Sequence, residues 1–297
     1  MERAGKPKKI RTFADTAASP AEPVIKKPAM SSKRILYVCQ EIMPYLPENH
    51  MSDISRNLPQ AIQERGFEIR TFMPRYGCVN ERRNQLHEVI RLSGMNLIID
   101  DNDHQLIIKV ASIPSARVQI YFIDNEEYFQ RKCVLQEEDG TYYPDNDERA
   151  IFFARGVVET VKKLRWSPDV VHVHGWFAGF IAMYMKSVFA EDPLFAGVKV
   201  VVSLYNDPFP GMLDVNVAQK VRAEGVEDGA LALLAEPTYE NLMKFIASYA
   251  DGVVFAEEGI DKNLKQYYLD TGMPVLECTR TTDYADDYAA FYEKILS

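Results

Sequence analysis

The 297-residue chain is short of the features that most often announce chemistry. It has five histidines and four cysteines, and Cys39, Cys78, Cys133 and Cys278 show no paired or metal-type spacing. That scatter argues against a disulfide framework and suits a reducing cytoplasm. No Gly-x-Gly and no Gly-Lys-Ser/Thr occurs, so neither common phosphate-cradling loop is there. No apolar run approaches the roughly 18 residues of a bilayer span. Nor does a charged, then apolar, then small-residue leader open the chain, so secretion is not expected. The expectation is a cytoplasmic protein that does not meet a membrane.

Positive charge is scarce outside one segment. Residues 1–32 carry seven Lys/Arg against three Asp/Glu, a net +4 within an overall −9, which leaves −13 on the remainder. So acidic a body is unsuited to nucleic acid, which asks for a basic surface. The segment 1–32, with four prolines and hardly any apolar periodicity, reads as a disordered basic tail, and Met30 is a second candidate start.

What is there is an alternation of apolar strands and amphipathic helices. Residues 35–39 and 198–204 are apolar on both faces, as central parallel strands are. Further strands are predicted at 68–73, 170–173 and 252–256. Helical spacing covers 53–65, capped by Ser52 and stopped by Gly66, and also 148–164, 177–186, 239–249, 257–269 and 283–296. Between 85 and 116 the pattern changes to short β-type runs at 89–92, 95–99 and 106–113, with a polar turn at 100–103. Residues 212–236 read as a surface loop with helical turns. This order predicts one α/β domain over 33–297. It is a Rossmann-like, doubly wound parallel sheet with a β-hairpin insertion at 85–116 and a closing helix at 283–297.

The chain is organised around residues 167–176, Ser-Pro-Asp-Val-Val-His-Val-His-Gly-Trp. A short buried strand carries His172 and His174 to its carboxyl end, where open α/β sheets bind ligands. Alternation sends both side chains to one side. The stretch also admits a blander arrangement, with one histidine in the core and the other capping the next helix. A metal pair would need further ligands from other strands, and only His50, His87 and His104 remain, so no metal is expected.

Other motifs stand in order around it. Residues 35–44 end in a turn with Glu41 and Pro44, followed by Leu58-Pro59 and Pro74-Arg75-Tyr76. Then come Tyr121-Phe122-Ile123-Asp124, Tyr128-Phe129, Tyr143-Pro144-Asp145-Asn146 with Arg149, and, after the histidines, Tyr249-Ala250-Asp251. Colinear over about 33–268, the set resembles the amino-terminal domain of ADP-glucose-type glycogen and starch synthases. These are two-domain GT-B glucosyltransferases of glycosyltransferase family 5. The resemblance implies one half of a GT-B fold. It also implies a family activity, transfer of glucose from ADP-glucose to an α-1,4-glucan, with no further cofactor. No catalytic nucleophile is expected, since such transfer rests on positioning and charge stabilisation. At the matching positions, His174, Asp145, Asn146, Asn206, Trp176 and Glu41 would hold the sugar or the acceptor.

The departures bear on function. The family's Lys-Thr-Gly-Gly-Leu donor loop falls on Pro47, Glu48, Asn49, His50 and Met51. A cation and two close-approach glycines have been exchanged for a proline, an acid and bulky groups. Glu48 would repel a diphosphate, and the missing glycines deny it backbone N–H groups. Gly175 replaces the aspartate of the family's His-Asp-Trp, and Tyr205 the histidine of its His-Asn. The resemblance implies that the family's carboxyl-terminal domain supplies most of the donor site, and no counterpart to it is expected within these residues. The expectation is a family member with a degenerate donor loop. Its partners would be α-glucan or maltooligosaccharide, ADP-glucose, or a protein supplying a second domain. The alternative is a non-catalytic, glucan- or partner-binding regulator of glycogen metabolism, a pseudoenzyme with Tyr45, Trp176, Phe177, Tyr205 and Phe209 as stacking faces.

Overall fold

Residues Ile35 to Cys39 are buried without a break, a pattern that suits a strand covered on both faces and flanked on both edges. The computed structural model describes residues 1, 32–113, 118–222, 226, 228–277 and 284–297. Nearly all of the basic tail, the connection at 114–117 and Cys278 lie outside them.

The described strands are β1 (Arg34–Cys39), β2 (Glu68–Pro74), β3 (His87–Glu88), β4 (Met95–Ile99), β5 (Asn102–Ile113), β6 (Val118–Asp124), β7 (Val170–His174), β8 (Lys199–Leu204), β9 (Gly252–Phe255) and β10 (Val275–Glu277). They lie in the order β10-β9-β8-β7-β1-β2-β6-β5-β3, with β4 paired to β5. From β10 to β6 all pairings are parallel, and β5 and β3 form an antiparallel edge. The chain winds from β1 outward to β2 and β6, then returns to place β7 on the other side of β1. The crevice beyond the carboxyl ends of β1 and β7 is thus the topological switch point.

Helices cover the sheet through the faces their spacing makes apolar. Along Asn146–Leu164, the residues Ile151, Phe152, Ala154, Val157, Val158 and Val161 are all buried. The closing helix Tyr284–Leu296 buries Tyr288, Phe291, Tyr292 and Ile295, each contributing about 1.5–3 kcal/mol by leaving water. It lies beside helix His50–Glu64, where Arg65 Nε donates to Asp286 at 2.6 Å. Among the described residues no helix is long and apolar enough to cross a membrane.

Several expectations need correction. Helix His50–Glu64 starts three residues before the expected position, because Asn49 caps it and Ser52 reciprocates as the other half of a capping box. The run at 89–92 is a turn rather than a strand; the edge strand is His87–Glu88. The hairpin between β4 and β5 turns on Asp100 and Asp101, both at positive φ, the handedness that matches strand twist. Strand β5 does not stand apart as an insertion but continues the main sheet beside β6. The helix expected at 177–186 begins as the tight turn Trp176–Ala178 and becomes α-helical only over Phe180–Lys186. The one expected at 257–269 starts at Lys262, with Asp261 as its cap. Strand β10 was not foreseen, being three half-exposed residues.

Candidate functional site

Strand alternation places Tyr37, His172 and His174 on one face of the sheet, through the register Tyr37↔His172 and Cys39↔His174. Both histidines are fully buried, so the arrangement with one of them capping the next helix does not hold. The His172 Nδ1 lies 2.6 Å from the Tyr292 hydroxyl and its Nε2 2.8 Å from Ser203 Oγ. The Tyr292 hydroxyl also meets that of Tyr37 at 3.1 Å. His174 Nδ1 lies 2.7 Å from the Tyr205 hydroxyl, while its Nε2 has no hydrogen-bond partner among the described residues. Burial holds both imidazoles neutral, pushing His174 down to about 3 and His172 well below its ordinary value.

After β1 the chain turns back on itself to start the next helix. The Asn49 side chain accepts from Ser52 N–H at 2.8 Å, and Ser52 Oγ accepts from Asn49 N–H at 2.9 Å. Asn49 Nδ2 donates to Glu41 at 2.5 Å. The N-terminal donors of this helix are therefore partly taken up by its own chain, with a carboxylate beside them. His50 lies 2.7 Å from the Ala256 carbonyl, and its ring meets Tyr205. Met51, Tyr205 and Ala256 form a small apolar cluster of their own. A cleft of about 850 Å³ opens beside His50 at the carboxyl ends of β9 and β10, with Lys262, Lys265, Glu257 and Glu277 among its walls. Pro47 and Glu48 are exposed.

Gly175 directly follows β7, at φ 84° and ψ 154°. A Cβ there would stand 2.7 Å from Gln40 Oε1 and 2.9 Å from Met51 Sδ. Gln40 Oε1 accepts from Phe177 N–H at 3.1 Å, which secures the turn. Trp176 is 1% exposed and packs edge-on against Phe209 and Phe177. Phe177, Tyr205, Phe209 and Tyr45 are buried as well. The aromatic set is core in this conformation. Asn206 is exposed, and its N–H donates to Glu257 at 2.9 Å.

Asp145 and Asn146 belong to a separate assembly. Asp145 precedes helix Asn146–Leu164 but makes no side-chain cap. Arg131 instead grips it with two bonds, at 2.7 and 2.5 Å. Asn146 is buried, donating to the Leu135 carbonyl and accepting from Arg149. Arg149 has no exposure at all. It donates to the Tyr128 and Val134 carbonyls and lies over the rings of Tyr76, Phe129, Tyr143 and Phe177. Burial lowers its pKa to about 10. It fastens the loop that carries Asp145 to the core.

Sequence reasoning passed over Asp207. Tyr239, 32 residues later at the start of a helix, donates to Asp207 Oδ1 at 2.9 Å, while Oδ2 is buried without a partner among the described residues. Burial pushes this carboxyl up to about 7, against the pull of the Tyr239 hydroxyl and with help from the charge of Glu41. Only the position of Asp207 at the end of β8 hinted at it. Asp147, Glu148 and Asp214 also gather their oxygens, but around the Lys220 ammonium, at 2.9, 2.7 and 2.9 Å.

Comparison with known proteins agrees with this architecture. Residues 34–275 match the family model described as the starch synthase catalytic domain. A glycogen synthase of Chlorobium limicola is 35% identical over 244 residues, which is 80% of this chain and 49% of that protein. That of Chlorobaculum tepidum is 37% identical over 209 residues, 67% of this chain and 43% of its own. The catalytic domain of starch synthase IV from Arabidopsis thaliana, solved bound to ADP and acarbose, superposes with a TM-score of 0.62 at 15% identity. That superposition covers 83% of this chain and 51% of the other, and the shared architecture is the GT-B glycosyltransferase fold. The chain thus spans about half the length of the curated relatives it matches. On the strength of the match over 34–275, the chain belongs to the starch synthase catalytic domain family.

Proposed function

We propose that this chain keeps the amino-terminal scaffold of a glycogen/starch synthase but does not by itself transfer glucose from ADP-glucose. It serves instead as a non-catalytic, glucan- or partner-binding member of glycogen metabolism. One observation supports the reading: the side chains at the start of helix His50–Glu64 are bonded to the chain itself. Asn49 closes the helix start with Ser52 and holds Glu41, and His50 reaches across to Ala256. Helix N-termini attract phosphate through free N–H groups and positive potential. Here those donors are partly engaged, and the Glu41 carboxylate bound to Asn49 adds negative charge beside them. The protein incubated with ADP-glucose and a maltooligosaccharide primer is expected to release no ADP above background; release at enzymatic rates would sink the proposal. Titration with maltooligosaccharide, read by heat, then separates a glucan-binding role from one that needs a protein partner.

A second reading has one observation in its favour. The buried His174 Nε2 has no partner among the described residues, at a position the family resemblance assigns to sugar binding. In that reading a second polypeptide supplies the other domain and opens the crevice. ADP release that appears only on adding such a partner would favour it.

A further inference from the structure

Two loops at the carboxyl edge of the sheet meet backbone to backbone, and each carries a free thiol. Gly77, just beyond β2, lies directly on Arg131: a Cβ there would stand 2.2 Å from the Arg131 carbonyl oxygen and 2.7 Å from its nitrogen. Only a residue without a side chain permits so close an approach. Cys78 follows Gly77 and is exposed; Cys133 comes two residues after Arg131 and is half-buried. Consecutive Cα atoms lie about 3.8 Å apart, so the contact holds both cysteines within a few residues' reach of one point. The Cys133 loop is also anchored on both sides. Arg131 grips Asp145, and Tyr143 N–H donates to the Leu135 carbonyl at 3.1 Å. Burial is the main influence raising the Cys78 pKa, and Cys133 adds to it, so the two sulfurs share an electrostatic neighbourhood.

We propose that Cys78 and Cys133 form a redox-sensitive pair, closed to an intrachain disulfide by a small-molecule disulfide of the glutathione class. The exposed Cys78 thiolate attacks one sulfur of oxidised glutathione and releases one glutathione thiolate, leaving a mixed disulfide. The Cys133 thiolate then displaces the second glutathione. The two protein thiols lose two protons and two electrons, and the reagent is reduced to two glutathione molecules. Since the Cys78 thiol is held above its ordinary pKa, the reaction quickens with rising pH. The bond ties the loop after β2 to the loop whose Arg131 holds Asp145.

The test uses the full reduced chain, freed of reductant and incubated with oxidised glutathione at mildly alkaline pH. Intact mass and non-reducing peptide mapping are expected to show the loss of two hydrogens and a cross-link between the Cys78 and Cys133 peptides. Cys78→Ser and Cys133→Ser should each yield a persistent glutathione adduct on the other cysteine of the pair. Stable adducts on both cysteines of the unmodified chain, no reaction, or a bond to Cys39 or Cys278 would overturn the pair. None of these readouts involves glucan or ADP-glucose, so the outcome is independent of the function proposed above.

Discussion

Gly175, where the family resemblance would place an aspartate, lies at φ 84° and ψ 154°, a region that only glycine enters without strain. The change is therefore more than an exchange of side chains, because the backbone itself has taken a path closed to an aspartate. Gln40 and Met51 occupy the space a Cβ would need. Gly175→Asp is expected to destabilise the fold by about 2 kcal/mol or more, read as a lower urea midpoint. An unchanged midpoint would mean that this turn adapts freely. The glycine after the His-Val-His strand was legible in the sequence. Its backbone consequence was not, since φ at Gly175 depends on Gln40 and Met51, which are distant in the chain.

At the scale of elements, periodicity located most helices and strands but misplaced their ends. Helix His50–Glu64 begins early because Asn49 and Ser52 satisfy each other, a reciprocity that one candidate cap does not reveal. The closing helix was legible from Tyr288, Phe291, Tyr292 and Ile295 falling on one face, but what they meet was not. The Tyr292 hydroxyl bridges His172 and Tyr37, joining the last helix to the two central strands. Tyr292→Phe keeps the packing and strands two buried polar groups. A loss of roughly 1–3 kcal/mol is expected, measured by chemical denaturation; a neutral result would show that the bridge adds nothing to docking.

Over the whole molecule, burial sets titrating groups against one another. His172 and His174 are held neutral in the fold, so the unfolded chain takes up protons below about pH 6.5 that the folded chain refuses, and stability falls as pH drops. Asp207 works the other way. Its folded carboxyl, at about 7, protonates before the unfolded one does near pH 4, which stabilises the fold over the same descent. Asp207→Asn removes this compensation. The variant should lose about 1.4 kcal/mol more than the parent for each unit between about pH 6.5 and 4. Parallel pH–stability curves would refute the assignment.

By itself the sequence determined the alternation of strands and helices and the family. Each is written in local spacing or in motif order, which survive without coordinates. Tertiary structure alone decided that His174 is sealed beneath Tyr205, that Asp145 answers to Arg131, and that His50 closes on Ala256. Burial and hydrogen-bond partnership join residues far apart in the chain, and no local pattern records which partner a polar group will find.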